Sequence, residues 1–248
     1  MKISVITCTY NSQATVADTV ESALAQDYPD VEYIVVDGHS TDHTVDILKG
    51  YGKRIDRILS EPDMGIYDAL NKGIAMATGD VVGLLHSDDV YASEEVLGMV
   101  AAAFAEAQTD AVYGDLLYVS YHNTDNIIRY WKAGSYSQYK LREGWMPPHP
   151  TLFIRREMYE QHGFFNTDFS IAADYELMMR FLGQYNMQMA YIPKILVKMR
   201  MGGASNKNLG NILRKMREDY QAMRNYGTGN WRTLLLKSLV KLSQFIRR

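Results

Sequence analysis

The chain has 248 residues, 47% of them hydrophobic and 22% charged, with a formal net charge of -3; that composition buries a substantial core and gives no general reason to expect a nucleic-acid partner. A single cysteine, Cys8, excludes an internal disulfide and fits a reducing compartment. No apolar run approaches the ~18 residues of a membrane span, and the N-terminal MKISVITCTYN turns polar too soon for a signal peptide, so a cytosolic protein is expected.

Apolar, β-branched runs of strand length occur at Ile3 to Thr7, Tyr33 to Val36, Arg57 to Leu59 and Val81 to Leu85, with helical patterns between them. The clearest helix is predicted over 65–78, where Ile66, Ala69, Leu70, Gly73, Ile74 and Ala77 share one face and Asp68, Asn71 and Lys72 the other. This alternation predicts an α/β fold with a mostly parallel, Rossmann-like sheet flanked by helices. Ligands of such sheets bind beyond the carboxyl ends of the strands. The polar clusters TYN (9–11), DGHSTD (37–42), EPDMG (61–65) and HSDD (86–89) all stand at those ends.

After Tyr113 the regular alternation is lost. Tyr, Trp and Gly are frequent over 113–145, MPPHP (146–150) reads as a rigid loop, TLFI as a strand, and 155–162 and 174–184 as helices. The Tyr and Trp side chains can stack on sugars or form a buried aromatic cluster. The division expected is a nucleotide-binding half over 1–120, an acceptor-binding and catalytic half over 121–206, and a basic helical extension over 207–248. That extension carries +8, leaving -11 on the remainder. In its last helix Trp231, Leu234, Leu235, Leu239, Leu242, Phe245 and Ile246 form an apolar stripe flanked by Arg232, Lys237, Lys241 and Arg248. Such a helix either lies on an anionic membrane, which would make the protein peripheral at the inner face of the cell membrane, or packs on its own domain.

Asp88 and Asp89 are adjacent like charges, which repel unless a cation or proton relieves them. A divalent cation with oxygen ligands does so, since Mg²⁺ or Mn²⁺ typically takes one or two carboxylates plus substrate phosphates. A turn or helix cap ahead of a helix starting near Ser93 is the competing reading. Asp37 can accept hydrogen bonds from a ribose or base edge, and Asp63 can equally cap the helix that follows. Neither GxGxxG nor GxxxxGK[ST] is present, so no glycine cradle holds a diphosphate and a metal must carry its charge.

Taken together and in order, ISVITCTYNS, YIVVDGHSTD, EPDMGIYDALNKGIAMATGD, LLHSDD and AADYELMMRF resemble the family 2 glycosyltransferases over about residues 1–200. The resemblance implies the glycosyltransferase A-type fold and a nucleotide-sugar donor, UDP-linked. Thr9, Tyr10 and Asn11 then line the nucleobase, Asp37 contacts the uracil and ribose side, and Asp63 stands in the following loop. Asp88 and Asp89 match the DxD-type region that holds Mn²⁺ or Mg²⁺ and the diphosphate, and Asp174 matches the catalytic base. Two departures matter: His86 replaces the first acid of the DxD-type stretch, which assigns the metal to Asp89 and places Asp88 nearer the ribose, and Ala173 replaces the glutamate that often precedes the base.

The implied reaction is inverting, metal-dependent transfer of one sugar to a glycan or lipid-linked glycan acceptor of surface polysaccharide assembly, since QxxRW and the membrane spans of processive synthases are absent. Asp174 and the Asp88/Asp89 pair should face each other across the donor. His149 is expected to line the acceptor site or approach the metal, or else to bond backbone as a loop histidine. His86 is expected to be structural or a diphosphate neighbour. His39 and His43, four apart without a third ligand, are expected on the surface near a helix start. Two other classes fit less well: a metal-dependent nucleotidyl- or phosphotransferase, which would want a glycine-rich basic loop where TCTYNSQ stands, and a noncatalytic sugar-nucleotide binder.

Overall fold

The structure is a computed structural model and describes residues 1–202 and 209–243. In chain order the elements are β1 (Ile3–Thr9), α1 (Val16–Leu24), β2 (Val31–Asp37), α2 (Thr44–Gly50), β3 (Arg57–Ser60), α3 (Ile66–Met76), β4 (Val81–Leu84), β5 (Val90–Tyr91), α4 (Val96–Glu106), β6 (Ala111–Val119), β7 (Ile127–Trp131), α5 (Gln138–Arg142), β8 (Phe153–Arg155), α6 (Arg156–His162), α7 (Ala173–Met178), β9 (Met189–Arg200), α8 (Leu209–Asn225) and α9 (Trp231–Ser243). A π-helical turn, Met179–Gln184, extends α7.

One sheet runs through the molecule in the order β3-β2-β1-β4-β8-β6-β9-β5, with β7 paired to β6. Strands β3, β2, β1 and β4 are mutually parallel, which is why their four polar ends open on one side. Side chains alternate across the sheet: Ile6, Cys8, Ile34 and Val36 join the core beneath α3, whereas Val5, Val16, Val20, Tyr33, Val35 and α4 form the core of the opposite face. Both faces of β1 are covered, so all seven of its residues are buried. Helix α3 buries Ala69, Leu70, Gly73 and Ile74, the stripe expected from sequence. Gly73 permits the close approach, since a Cβ there would lie 2.4 Å from Ile6 Cγ2.

The second half is more regular than its sequence suggests. Strand β6 spans nine residues and pairs in parallel with the twelve-residue β9. Register shifts between Tyr113 and Asp115 and between Asp115 and Leu116 break the two-residue period, and bulges of this kind hide a strand from pattern reading. The aromatic segment forms a buried cluster: Tyr113 lies 5.7 Å from Trp145 and 5.4 Å from Tyr191, and Trp145 lies 5.6 Å from Tyr136, centroid to centroid. Asp115 sits under it, accepting hydrogen bonds from the Tyr130 and Tyr191 hydroxyls.

No helix among the described residues is long and apolar enough to cross a membrane. The apolar stripe expected along α9 is divided. Leu234 packs against the core and Lys237 is buried, ion-paired to Asp219 at 2.8 Å with its ammonium 3.0 Å from the Tyr175 ring centroid; Trp231, Leu235 and Leu236 face outward. Phe245, Ile246 and Arg248 lie outside the described residues, as does Lys207.

Candidate active site

Parallel register sets Thr9 beside Asp37 and Asp37 beside Ser60. Asp37 is wholly buried: its Oδ2 accepts hydrogen bonds from the Ser60 hydroxyl (2.7 Å) and the Ser40 amide (3.0 Å), and its Oδ1 from the Ser40 hydroxyl (2.5 Å). A carboxylate held at both oxygens presents one fixed acceptor face. Asn11 links this loop to the first one. Its backbone is left-handed (φ 49°), a conformation Asn tolerates, its Oδ1 accepts from the Thr41 amide at 2.9 Å, and its own amide donates to Ser40 Oγ at 2.8 Å. Beside it the Tyr10 ring is 63% exposed, and the buried Thr9 hydroxyl has no partner.

Asp63 does not cap α3 through the first-turn amides. Its Oδ1 accepts from the amide of Gly65, the residue that precedes the helix, at 2.8 Å, and its Oδ2 covers Gly38, where a Cβ would approach it to 2.5 Å. Glycine at 38 is what lets that carboxylate close over the end of β2. The carboxylate of Asp68 reaches back to the Met64 amide at 3.1 Å instead. His39 and His43 are exposed, and His43 immediately precedes α2.

The stretch LLHSDDVY forms a turn in which the Asp89 amide donates to His86 O at 2.9 Å. It caps no helix, because α4 begins at Val96 without a side-chain cap. The two acids point to different surroundings. Asp89 is 1% exposed; its Oδ1 accepts from the Arg200 amide at 3.2 Å and its Oδ2 has no partner. Burial, then the charge of Asp88, pushes the Asp89 carboxyl well above the ordinary carboxylate range. Asp88 is only half-buried, and its carboxylate has neither hydrogen bond nor ion pair among the described residues. Arg200 pins the turn from behind, donating from Nη1 to Asp88 O (2.9 Å), from Nε to Tyr121 O (3.0 Å) and from Nη2 to Asp18 Oδ2 (2.5 Å).

Among the described residues no three His, Cys, Asp or Glu side chains converge closely enough to enclose a metal. A single free carboxylate does fit the incomplete ligand set that Mg²⁺ or Mn²⁺ fills with phosphate oxygens and water.

Asp174 stands in the first turn of α7. Its Oδ1 accepts from the Tyr67 hydroxyl at 3.3 Å, and that hydroxyl also reaches Ile171 O at 2.8 Å. Burial raises the Asp174 carboxyl, but the field of His149 when its ring is charged, then those of Lys215 and Lys237 and the Tyr175 amide, outweigh it, so the net direction is downward. The charges of both acids reach His86, whose ring lies 6.2 Å from that of His149, centroid to centroid. Burial lowers His86, against the opposing fields of Asp88 and Asp174. His149 is 8% exposed, packs edge-on to Phe165 at 5.8 Å, and neither ring nitrogen has a partner, so it bonds no backbone.

Burial brings His149 down to about 4, more than Asp174 can offset. Its folded form therefore refuses a proton that the unfolded chain accepts below pH ~6.5. Stability should then fall as pH drops, by about 2 kcal/mol between pH 7 and pH 5 for this group. Urea unfolding at the two pH values checks this, and in His149→Asn the difference should shrink by about that amount.

Thr9, Tyr10, Asn11, Asp37 and Asp63 thus gather around the ends of β1 and β2, while Asp88, His149 and Asp174 gather around His86. Asp89 alone is turned away from this crevice. The sequence reading missed Ser40, Ser60, Tyr67 and Arg200. Ser40 and Tyr67 lie inside the motifs it singled out, but the contacts of Ser60, Tyr67 and Arg200 span long stretches of chain, and nothing local signals them.

Three comparisons bear on this arrangement. An uncharacterized glycosyltransferase of Mycobacterium tuberculosis is 32% identical over 184 residues, covering 72% of this chain and 68% of that protein. Two solved structures share the fold: a Staphylococcus aureus TarS fragment in complex with UDP-GlcNAc (TM-score 0.68, 19% identity, 100% of this chain and 73% of that one) and a Pyrobaculum calidifontis mannosyltransferase in complex with GDP-Man and Mn²⁺ (TM-score 0.68, 19% identity, 98% and 70%). The family model described as glycosyl transferase family 2 matches residues 4–170, and with the strand ends, the acids and the A-type sheet in place, the chain belongs to that family of glycosyltransferases.

Proposed function

We propose that this glycosyltransferase moves a single sugar, with inversion, from a nucleotide-linked donor to a hydroxyl of a glycan or lipid-linked glycan acceptor of surface polysaccharide assembly. The observation that carries the reading is a pair of unlike acids whose charges both reach His86: Asp88, free of partners, and Asp174, at the start of α7 and bonded to the Tyr67 hydroxyl. The charges of both reach the His86 ring, which supports their belonging to one site.

In this reading residues 1–120 bind the donor and 121–206 the acceptor. The Tyr10 ring stacks on the nucleobase, with Thr9 and Asn11 at its edge. Asp37 accepts from the uracil or ribose side, its oxygens already oriented by Ser40 and Ser60, and Asp63 closes the same loop. A UDP-linked donor is supported by the family resemblance and by what TarS holds. Mn²⁺ or Mg²⁺, bound by Asp88 and the diphosphate, would stabilise charge on the departing nucleotide. The metal assignment made from sequence, to Asp89, shifts to Asp88 in this reading, because the Asp89 carboxylate is 1% exposed and lies against the Arg200 amide, whereas Asp88 is half-buried and free of partners.

Asp174 takes the proton from the acceptor hydroxyl as that oxygen attacks the anomeric carbon, and Tyr67 holds the carboxylate in place. His149, neutral at pH 7 with both nitrogens unpartnered, is free to bond a donor or acceptor oxygen. For 231–248, Leu234 and Lys237 pack on the body; the outward Trp231, Leu235, Leu236 and Arg232 are the side chains that would meet a membrane surface.

Calorimetry and a nucleotide-sugar panel test the reading together. UDP should bind with Mn²⁺ present and much more weakly after chelation, and at least one UDP-sugar should slowly release UDP in the absence of acceptor. No binding of any nucleoside diphosphate with Mn²⁺ would overturn it.

A further inference from the structure

Helix α8 delivers a carboxylate to the loop that precedes the proposed base. Glu218 is nearly buried, and its two oxygens accept four hydrogen bonds: Oε1 from the Ser170 amide (3.2 Å) and hydroxyl (2.9 Å), Oε2 from the Ile171 and Ala172 amides (each 2.9 Å). These amides lead directly into α7, where Ala172 is the N-cap and Asp174 the second helical residue. No side chain of α7's own segment caps it, and Glu218 does not cap it either: a cap accepts from the second or third helical amide, whereas Glu218 fixes the three residues that lead into the helix.

Two further contacts carry this clamp to the base. Ile171, whose amide Glu218 holds, offers its carbonyl to the Tyr67 hydroxyl at 2.8 Å, and that hydroxyl reaches Asp174 Oδ1 at 3.3 Å. Helix α8 is itself held down beside Glu218, because the adjacent Asp219 pairs with the buried Lys237 of α9. We propose that Glu218 is a positioning residue for the glycosyl-transfer reaction, fixing the 170–172 loop and Tyr67 so that the Asp174 carboxylate keeps the orientation proton removal requires. Glu218 touches neither donor nor acceptor in this assignment, which rests on Asp174 being the base.

Burying an ionised carboxylate is costly unless its oxygens are satisfied. The amides of 170–172 satisfy Glu218, and they are the groups whose placement sets Asp174.

The test is a double-mutant cycle on the full chain, using release of UDP from the UDP-sugar hydrolysed fastest in the panel above. Glu218→Gln keeps the size of the side chain but replaces one accepting oxygen with an amide donor facing N–H groups. It should lower kcat about 10- to 100-fold, with KM for the donor and Mn²⁺-dependent UDP affinity within about twofold of wild type. Combined with Asp174→Asn it should add almost nothing to the loss caused by Asp174→Asn, because a positioning residue acts only through the group it positions.

A merely structural role gives a different result, an equal fractional loss in both backgrounds, and that additivity would overturn the inference. Wild-type kcat in Glu218→Gln beside an inactive Asp174→Asn would overturn it while leaving the base assignment intact; an active Asp174→Asn would remove both. If Glu218→Gln does not fold, Ser170→Ala removes one of the four bonds and leaves the carboxylate buried. It should lower kcat about twofold to fivefold, and wild-type kcat there would count against the clamp.

Discussion

Replacing Asp174 by Asn should reduce turnover by about 10² to 10⁴, the range of a lost general base, while leaving UDP binding in Mn²⁺ within about twofold. The substitution keeps the shape and the Tyr67 contact but removes the charge on which proton removal depends. In the wild type Lys215, Lys237 and the Tyr175 amide oppose the effect of burial at neutral pH, where His149, charged only in acid, adds no field. The comparison to make is kcat against nucleotide affinity, by steady-state UDP release and calorimetry on the same preparation. A variant that keeps more than a tenth of wild-type kcat would refute the base assignment, and one that loses UDP affinity as well would place Asp174 in donor binding instead.

The adjacent acids of the HSDD turn should separate cleanly. Asp88→Asn is expected to lower Mn²⁺-dependent UDP affinity by at least about 100-fold, because substitutions one shell further from a metal already cost ~10- to 100-fold. Asp89→Asn should change that affinity by less than about threefold. Its carboxyl is 1% exposed, lies against the Arg200 amide, and is pushed by burial toward the uncharged form, so a neutral side chain of the same shape suits the site. The effect of Asp89→Asn should appear in folding instead. An acid that binds its proton more readily when folded loses stability as pH rises, and the variant lacks that titration. Equal loss of Mn²⁺-dependent affinity in both variants would restore a shared role for the pair.

Much of this was legible in the sequence. The strands at Ile3, Tyr33, Arg57 and Val81 and the helix over 65–78 follow from apolar periodicity, which is a local property. Parallel strands in a covered sheet must leave their polar ends together, so the crevice and the acids Asp37, Asp63 and Asp88 could be named before any coordinates, whereas Asp174, on a helix, was named only through the family resemblance. Strand β9 could not be found that way, since register shifts opposite β6 disturb its period. Nor could the partition of the α9 stripe, because Leu234 and Lys237 turn inward only where Asp219 and the Tyr175 ring receive them.

What the sequence determined by itself was the identity and order of the chemical groups: an A-type sheet, acids at its strand ends, and a family resemblance carried by their spacing. What only the tertiary structure decided was which way each group faces and what its charge is. Asp88 and Asp89 are neighbours with the same side chain, but the pairing of β5 with β9 draws Asp89 against Arg200 and out of water, while Asp88 stays free of partners. Burial, opposing charge and hydrogen bonds set ionisation, and all three depend on residues distant in the chain. The carboxylate that holds the loop ahead of α7, Glu218, reaches it from α8, a helix whose place in the fold no local pattern specifies.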